Sequence, residues 1–325
     1  VSTVLTKKDQ KRLMLFAGRS HPALANEVAS ILDVDLVPMR AVTYANSEIY
    51  VRFEESVRGS DAFVIQSHHA PVNEWMMEQL IMVDALKRAS AKRITVVSPF
   101  YPYARQDKKH AGREPISARL MADLYAAAGA TRIMSVDLHA AQIQGFFSGP
   151  VDHLLAMPLL SDYVARKYGE EDLVVVSPDA GRVRMADQWT DKLGCNLAII
   201  HKRRDPNVAN TVAVHEVVGE VEGRVCLIVD DMIDTAGTIC LAADALMARG
   251  AKAVIAAATH AVLSGPAAER LNRSAFKEVI VTNTLPIDTA VDIDCLTVLS
   301  IAPLIAKAIK EVFTEGSVTS LMNEG

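Results

Sequence analysis

The chain has 325 residues, enough for two α/β domains with cores of their own. Its 34 Lys and Arg against 39 Asp and Glu give a net charge of −5 and a pI near 6.0, which excludes the global basic footprint of a nucleic-acid binder and makes any cationic site local. Half of the residues are hydrophobic, yet no apolar run approaches the ~18 needed to span a bilayer. Lys7, Lys8, Lys11 and Arg12 precede only a short apolar run, so a signal peptide is not expected. Cys195, Cys226, Cys240 and Cys295 have no paired spacing and read as small core residues in a reducing cytoplasm.

Residues 1–12 are polar and read as a loose tail. Leu13–Ala17 is expected as a strand, followed by a Gly18–Pro22 turn and a helix over Ala23–Leu32. In Thr43–Glu54, Ile49, Val51 and Phe53 alternate with Tyr50, Arg52 and Glu54, the period of a half-exposed strand, and the segment reads as a projecting hairpin. Asp61–Gln66 is a buried strand. Asn73 is placed to cap a helix over Glu74–Ser90, whose Met77, Leu80, Ile81, Asp84 and Leu86 mark one mostly apolar face. The strand Arg93–Ser98 leads into Pro99–Arg113, where Arg105, Lys108, Lys109, His110 and Arg113 sit among Phe100, Tyr101 and Tyr103. That is the local cationic site: polyphosphate wants several cationic donors, and a purine wants an aromatic or guanidinium face.

A helix over Ser117–Ala128 and the strand Ile133–Val136 follow, ending in Asp137-Leu138-His139 and then a turn and helix from Ala140. A lone His is usually structural, but this one stands beside an Asp at a strand end. The second half has a strand Leu173–Ser177 running into Pro178-Asp179-Ala180-Gly181, a helix Arg184–Leu193, and a strand Leu197–Ile200. His201-Lys202-Arg203-Arg204-Asp205 then opens a polar stretch through Asn210 that lacks periodicity and reads as a mobile loop.

Val225–Val229 is a short unbroken apolar run, as for a strand buried on both faces of a parallel sheet. Asp230 and Asp231 stand at its C-terminal end, where open α/β sheets bind ligands. Asp234-Thr235-Ala236-Gly237-Thr238 comes next, then a helix over Ile239–Ala248. Loop amides at a helix N-terminus, with Thr hydroxyls, make a phosphate cradle. The Asp pair lies one sugar-length away, suited to ribose hydroxyls or a metal on them. Strands Val254–Ala258, Val279–Val281 and Leu296–Leu299 follow, then a helix over Ala302–Phe313 with Leu304, Ile305, Ala308, Ile309 and Val312 on one face. Phe63-Val-Ile-Gln-Ser answers Val174-Val-Val-Ser-Pro, Thr95-Val-Val-Ser answers Ala198-Ile-Ile-His, and Val136-Asp-Leu-His answers Val229-Asp-Asp-Met. The order of elements thus suggests two copies of one α/β unit.

The stretch Val229–Thr238 resembles the ribose-5-phosphate loop of type I phosphoribosyltransferase folds. Together with Tyr-Ala-Arg-Gln-Asp-Lys-Lys (103–109), Asp-Leu-His-Ala-Ala-Gln-Ile-Gln-Gly-Phe-Phe (137–147), Gly-Arg-Glu-Pro-Ile-Ser (112–117) and Ser-Pro-Asp-Ala-Gly-Arg-Val-Arg (177–184), it is similar to class I ribose-phosphate pyrophosphokinases, actinobacterial members in particular. The resemblance implies two tandem type I phosphoribosyltransferase-like domains, each a mainly parallel sheet flanked by helices. Residues 1–155, with the hairpin at about 43–56, form the ATP side and are completed by the C-terminal helix 302–325; residues 156–301 carry the ribose 5-phosphate site.

The implied reaction transfers the pyrophosphoryl group of Mg-ATP to the C1 hydroxyl of ribose 5-phosphate, giving phosphoribosyl pyrophosphate and AMP. Lys202 and Arg204 are the implied catalytic residues. Tyr44, Asn46 and Glu48 from a neighbouring subunit, with Arg105, Gln106 and Lys108, are implied for ATP. Arg204, Asp230, Asp231, Asp234, Thr235, Ala236, Gly237 and Thr238 are implied for ribose 5-phosphate, and His139 and Asp179 for Mg²⁺. A cytoplasmic homo-oligomer, a hexamer, with inorganic phosphate and ADP as effectors and neither nucleic acid nor membrane as partner, completes the expectation. Tyr44 stands where the family usually has Phe, and Asn46 where it often has Asp. His110 stands where many members have a carboxylate, and Arg182 replaces the second Gly of the Asp179 turn. A type I phosphoribosyltransferase would explain Asp230–Thr238 but leave 105–109 and His139 idle, and a non-catalytic regulatory subunit would keep the fold without needing Lys202, Arg204, His139 and Arg105.

Overall fold

The computed structural model describes residues 11–203, 214–288 and 292–319. Fourteen strands and eight α-helices are found among them, in two compact units. The first unit runs to Leu154 and takes back the chain from Ala302; the second is Leu155–Ile301. Alternating strands and helices with short links dictate parallel sheets covered by helices.

In the first unit, β1 (Leu13–Ala17), β4 (Asp61–Ile65), β5 (Arg93–Val97), β6 (Arg132–Val136) and β7 (Val151–Leu154) form a parallel sheet in that order. Helices α1 (Pro22–Leu32), α2 (Val72–Arg88), α3 (Ser117–Ala128) and the final α8 (Ala302–Thr314) flank it. β2 (Met39–Thr43) and β3 (Ile49–Phe53) pair antiparallel as a separate hairpin. The hairpin therefore starts earlier than the alternation in Ile49–Phe53 suggests, and its inner edge is seated by Phe53 against Phe16, ring centroids 4.7 Å apart. Lys11 and Arg12 are not loose: Lys11 pairs with Glu315 at 2.5 Å, and Arg12 donates to the Ser56 carbonyl at 3.0 Å.

Helix α2 departs from its expected reading in two ways. Pro71 is its N-cap, and Asn73 lies within the first turn, where its Oδ1 accepts the Tyr103 hydroxyl. The buried face is Met76, Glu78, Gln79, Met82, Val83 and Leu86, whereas Met77 is 52 % exposed. Two polar residues sit in that face because each has partners. Gln79 donates to Val64 O at 3.0 Å, and Glu78 accepts from Arg19 Nε at 2.6 Å and Gln66 Nε2 at 3.0 Å.

The second unit holds β8 (Leu173–Ser177), β9 (Asn196–Arg203), β10 (Val214–Val218), β11 (Val225–Ile233), β12 (Ala253–Ala261), β13 (Phe276–Thr282) and β14 (Leu296–Leu299). Their order is β10-β9-β8-β11-β12-β13-β14, parallel except for β10. Helices α4 (Met157–Tyr168), α5 (Val183–Leu193), α6 (Gly237–Ala248) and the short α7 (Ala267–Asn272) complete it. β11–β13 outrun their predicted spans, with Thr259 and His260 buried inside β12 at 3 % and 1 % exposure. His260 Nδ1 meets Thr284 Oγ1 at 2.9 Å, which satisfies its polarity there.

The two sheets share a plan but not a strand order. β4, β5 and β6 lie side by side in chain order, whereas β8 stands between β9 and β11. Of the four cysteines, only Cys226 is a core residue; the others are half-buried, and all are free. Burial pushes the Cys226 thiol up to about 11.

Candidate functional site

Strand order selects the place in the second unit. β8 continues to β9 on one side and neighbours β11 on the other, a reversal that opens a crevice beyond the strands' carboxyl ends. β8 pairs with β11 only as far as Val176 opposite Ile228, while β11 runs on beside β12 through Ile233. Asp230 and Asp231 thus occupy the part of β11 that has lost its β8 neighbour. Asp231 is buried, 2 % exposed at its side chain, and Asp230 is 19 % exposed. Burial, and then the Asp231 charge beside it, raise the Asp230 carboxyl well above the usual range, while the Arg182 charge and the Asp231 amide pull it down.

Arg182 follows the β8 turn. Its Nε lies 2.8 Å from Asp230 Oδ1 and its Nη2 2.5 Å from Asp231 Oδ1. The turn itself is held by Asp179, whose Oδ1 accepts the Gly181 and Arg182 amides at 2.8 and 3.2 Å.

Downstream, the loop is shorter than expected: Asp234–Ala236 forms it, and Gly237 and Thr238 already belong to the first turn of α6. Ala236 caps α6 in the left-handed region (φ 59°), no side chain caps the helix, and its first residue is Gly237. Amides of this first turn have no intrahelical acceptor, so they are donors for an anion. Thr235 and Thr238 are exposed and Ala236 is buried. Asp234 Oδ1 accepts the Ser264 hydroxyl, Ser264 N donates to Asp234 O at 3.0 Å, and Arg270 Nη1 donates to Thr235 O at 2.9 Å. A Cβ on Gly237 would come within 3.0 Å of Arg270 Nη1, so glycine there leaves room for that guanidinium. Arg270 and Ser264 were not legible beforehand, as neither belongs to a motif and both reach the loop from the segment after β12.

In the first unit the cationic loop leaves the carboxyl end of β5 and is laid against the end of β6: Val136 N donates to Pro99 O at 3.1 Å. Arg105, Gln106 and Lys108 are exposed. Gln106 also has a local role, its Oε1 accepting Ser117 Oγ at 2.6 Å and its carbonyl the Ala118 amide at 3.1 Å. Asp107 is buried and receives the Gln142 side-chain amide. Beneath the loop, His68 is fully buried, its Nδ1 3.2 Å from Phe100 O and 3.0 Å from Ser98 Oγ. His139 is half-buried just past the end of β6, and the single 3₁₀ turn Ala141–Gly145 stands where a longer helix was expected.

Tyr44, Asn46 and Glu48 lie in the exposed hairpin turn. Tyr44 is 51 % exposed, and Asn46 Oδ1 accepts the Glu48 amide at 3.2 Å. Lys202 lies on β9 in register with His215 of β10. Arg204, with the stretch through Asn210, lies outside the described residues.

Among the described residues no cluster of three or more His, Cys, Asp or Glu can hold a metal unaided. Mg²⁺ needs no such cluster, since it takes one or two carboxylates beside substrate phosphates and water. Volume is no guide. A cavity of about 670 Å³ lined by Asp61, Arg93, Arg132, Asp152 and Glu315 lies at the amino ends of β4–β7, opposite the ends that carry the loops.

The sequence family described as the N-terminal domain of ribose phosphate pyrophosphokinase matches residues 13–129, and the phosphoribosyl synthetase-associated domain matches residues 206–323. The chain is 66% identical over 315 residues to the ribose-phosphate pyrophosphokinase of Streptomyces coelicolor, and 62% identical over 316 residues to that of Mycobacterium bovis, covering 97% of both chains in each case. The crystal structure of phosphoribosylpyrophosphate synthetase from Mycobacterium smegmatis superposes with a TM-score of 0.90 at 61% identity, covering 94% of this chain and 100% of that one.

Proposed function

The chain belongs to the ribose-phosphate pyrophosphokinase family, and on that premise we propose how its own residues carry the reaction. The oxygen of the C1 hydroxyl of ribose 5-phosphate attacks the β-phosphorus of ATP in line. The bond from that phosphorus to the α–β bridging oxygen breaks, AMP leaves with the oxygen, and the hydroxyl proton is released. Such transfer depends on positioning and on neutralising oxygen charge rather than on a covalent enzyme intermediate.

The observation that carries the reading is the placement of Asp230–Asp231 and the Asp234–Thr238 loop along one strand end at the β8–β11 reversal. Amides and hydroxyls of Asp234–Thr238 hold the 5-phosphate, and Asp230 and Asp231 accept the ribose hydroxyls. Arg105, Gln106 and Lys108 hold ATP, with Tyr44, Asn46 and Glu48 of a neighbouring subunit on the adenine. Lys202 and Arg204 stabilise the charge that develops on the phosphates, and Arg204 also contacts the sugar phosphate. Mg²⁺, when bound, neutralises phosphate oxygens, with His139 and Asp179 each proposed as a ligand, directly or through water. The same reading makes the protein a cytoplasmic homo-hexamer, with inorganic phosphate and ADP as effectors.

The test is ³¹P NMR of the protein with ribose 5-phosphate, ATP, Mg²⁺ and inorganic phosphate. AMP appearing in step with a sugar-linked pyrophosphate is expected. ADP instead of AMP would identify a γ-phosphoryl kinase. An unchanged spectrum from a normally assembled protein would favour a regulatory subunit.

A further inference from the structure

Arg182 stands where the resemblance leads one to expect glycine, and the structure gives its side chain a definite task. The guanidinium forks onto two different carboxylates, Asp230 Oδ1 at 2.8 Å and Asp231 Oδ1 at 2.5 Å. Its own backbone amide is bound to a third carboxylate, Asp179 Oδ1 at 3.2 Å. Arg182 also precedes the first residue of α5, and its carbonyl accepts the Ala186 amide at 3.0 Å, so the side chain starts from a fixed point. At 18 % exposure it is largely withdrawn from solvent. One residue therefore ties the turn after β8 to the part of β11 that β8 no longer flanks.

Two adjacent, largely buried carboxylates repel each other, and each can rotate about its own side chain. A sugar diol needs both as acceptors in a fixed relation. The planar fork of an arginine suits that task, since it binds two oxygens at once and always carries its charge. We propose that Arg182 is a positioning residue for ribose 5-phosphate: by bridging Asp230 and Asp231 it fixes the two carboxyl groups in one orientation, with their remaining oxygens turned to the sugar hydroxyls. The inference rests on the assignment of these aspartates to the sugar.

The experiment compares the full-length protein with Arg182→Gln and Arg182→Lys. Steady-state KM values for both substrates are measured, with calorimetric titration of ribose 5-phosphate in the presence of Mg²⁺ and a non-hydrolysable α,β-methylene ATP analogue. Loss of the bridge is expected to weaken ribose 5-phosphate binding and raise its KM by about tenfold or more, the scale of a lost charge-assisted hydrogen bond, with KM for ATP unchanged. Lysine, which reaches one carboxylate but cannot fork onto both, is expected to fall between glutamine and the parent. Parent-like ribose 5-phosphate binding by a folded Arg182→Gln variant overturns the proposal, whether or not its melting temperature falls. Tighter binding also overturns it, by making Arg182 an obstacle to the sugar. If Arg182→Gln does not fold, Arg182→Lys decides: parent-like binding overturns the proposal, and weakened binding of the sugar alone supports it. Failure of the parent protein itself to bind ribose 5-phosphate would instead remove the functional reading.

Discussion

His68 shows how one residue beneath the cationic loop can govern the acid limb of stability. Burial pushes its imidazole down to about 4 from an ordinary 6.5, although the Phe100 carbonyl and Gln79 pull it up. The unfolded chain takes a proton as pH falls through about 6.5, and the folded chain refuses it until about 4. Stability is therefore expected to be unaffected by this group above that window and to drop by about 3 kcal/mol across it. Urea titrations of the parent and His68→Gln across the window test this; equal slopes in the two proteins would dismiss His68 as the cause. For the chemistry, Lys202→Ala is expected to lower kcat by ~10²-fold or more, as when one charge-stabilising donor is lost. A near-normal kcat would remove Lys202 from the reaction. At this scale Asp179 and His139 stand just past a strand's carboxyl end, as expected, whereas Asp230 lies within β11, because that strand runs on beside β12 to Ile233. The sequence was silent on Arg270 and Ser264, whose places depend on a segment that returns to the phosphate loop from about 30 residues downstream.

Elements were legible where burial writes itself as an unbroken apolar run. Leu173–Ser177 matches its expected bounds, and β11 was found through its apolar half; Leu296–Leu299 also matches, although Thr297 interrupts it and Val298 is exposed. Helix α4 was not expected at all. Its inner side includes Ser161 and Tyr168, and Tyr168 is held by a hydrogen bond of 2.5 Å to Glu278, on a strand 110 residues away. Burial alone would raise that Glu278 carboxyl, but hydrogen bonds from Lys167, Thr297, Tyr168 and Tyr163 bring it down to about 2. No local pattern reports such a partner. The face of α2 was misread for the same reason, because buried Glu78 looks like a surface residue until Arg19 is placed beside it.

That pair also secures the hairpin, since Arg19 Nη2 donates to Thr43 Oγ1 at 3.0 Å where β2 ends. The Glu78 side chain is 0 % exposed and that of Arg19 32 %, so the two partners are not equivalent. Arg19→Met strands a buried carboxylate and is expected to cost about 3 kcal/mol. Glu78→Gln leaves a cation that water can reach and is expected to cost less. Urea unfolding of the two variants checks the order, and the reverse order would contradict it.

For the molecule as a whole, two parallel sheets with separate cores were foreseeable from the alternation of strands and helices, whereas their differing strand orders were not. Hydrogen-bonded neighbours are set by crossovers, and order of elements along a chain does not encode them. Helix α8 illustrates the point. Ile305, Ala308 and Ile309 are buried, and the helix packs on α1 and β7, so the last helix among the described residues is part of the first unit. Ending the chain after Ile301 is expected to abolish amide-exchange protection in β1 while β11 and β12 keep theirs. Equal loss in both sheets, or protection retained in β1, would contradict this. The same arrangement bears on how the protein is made. A ribosome delivers the strands of the first sheet early, yet the helix that covers them emerges only after the entire second unit has been translated. The opening half of the polypeptide must wait with an apolar flank uncovered, so a holding chaperone should be needed most for nascent chains between Leu154 and Ala302.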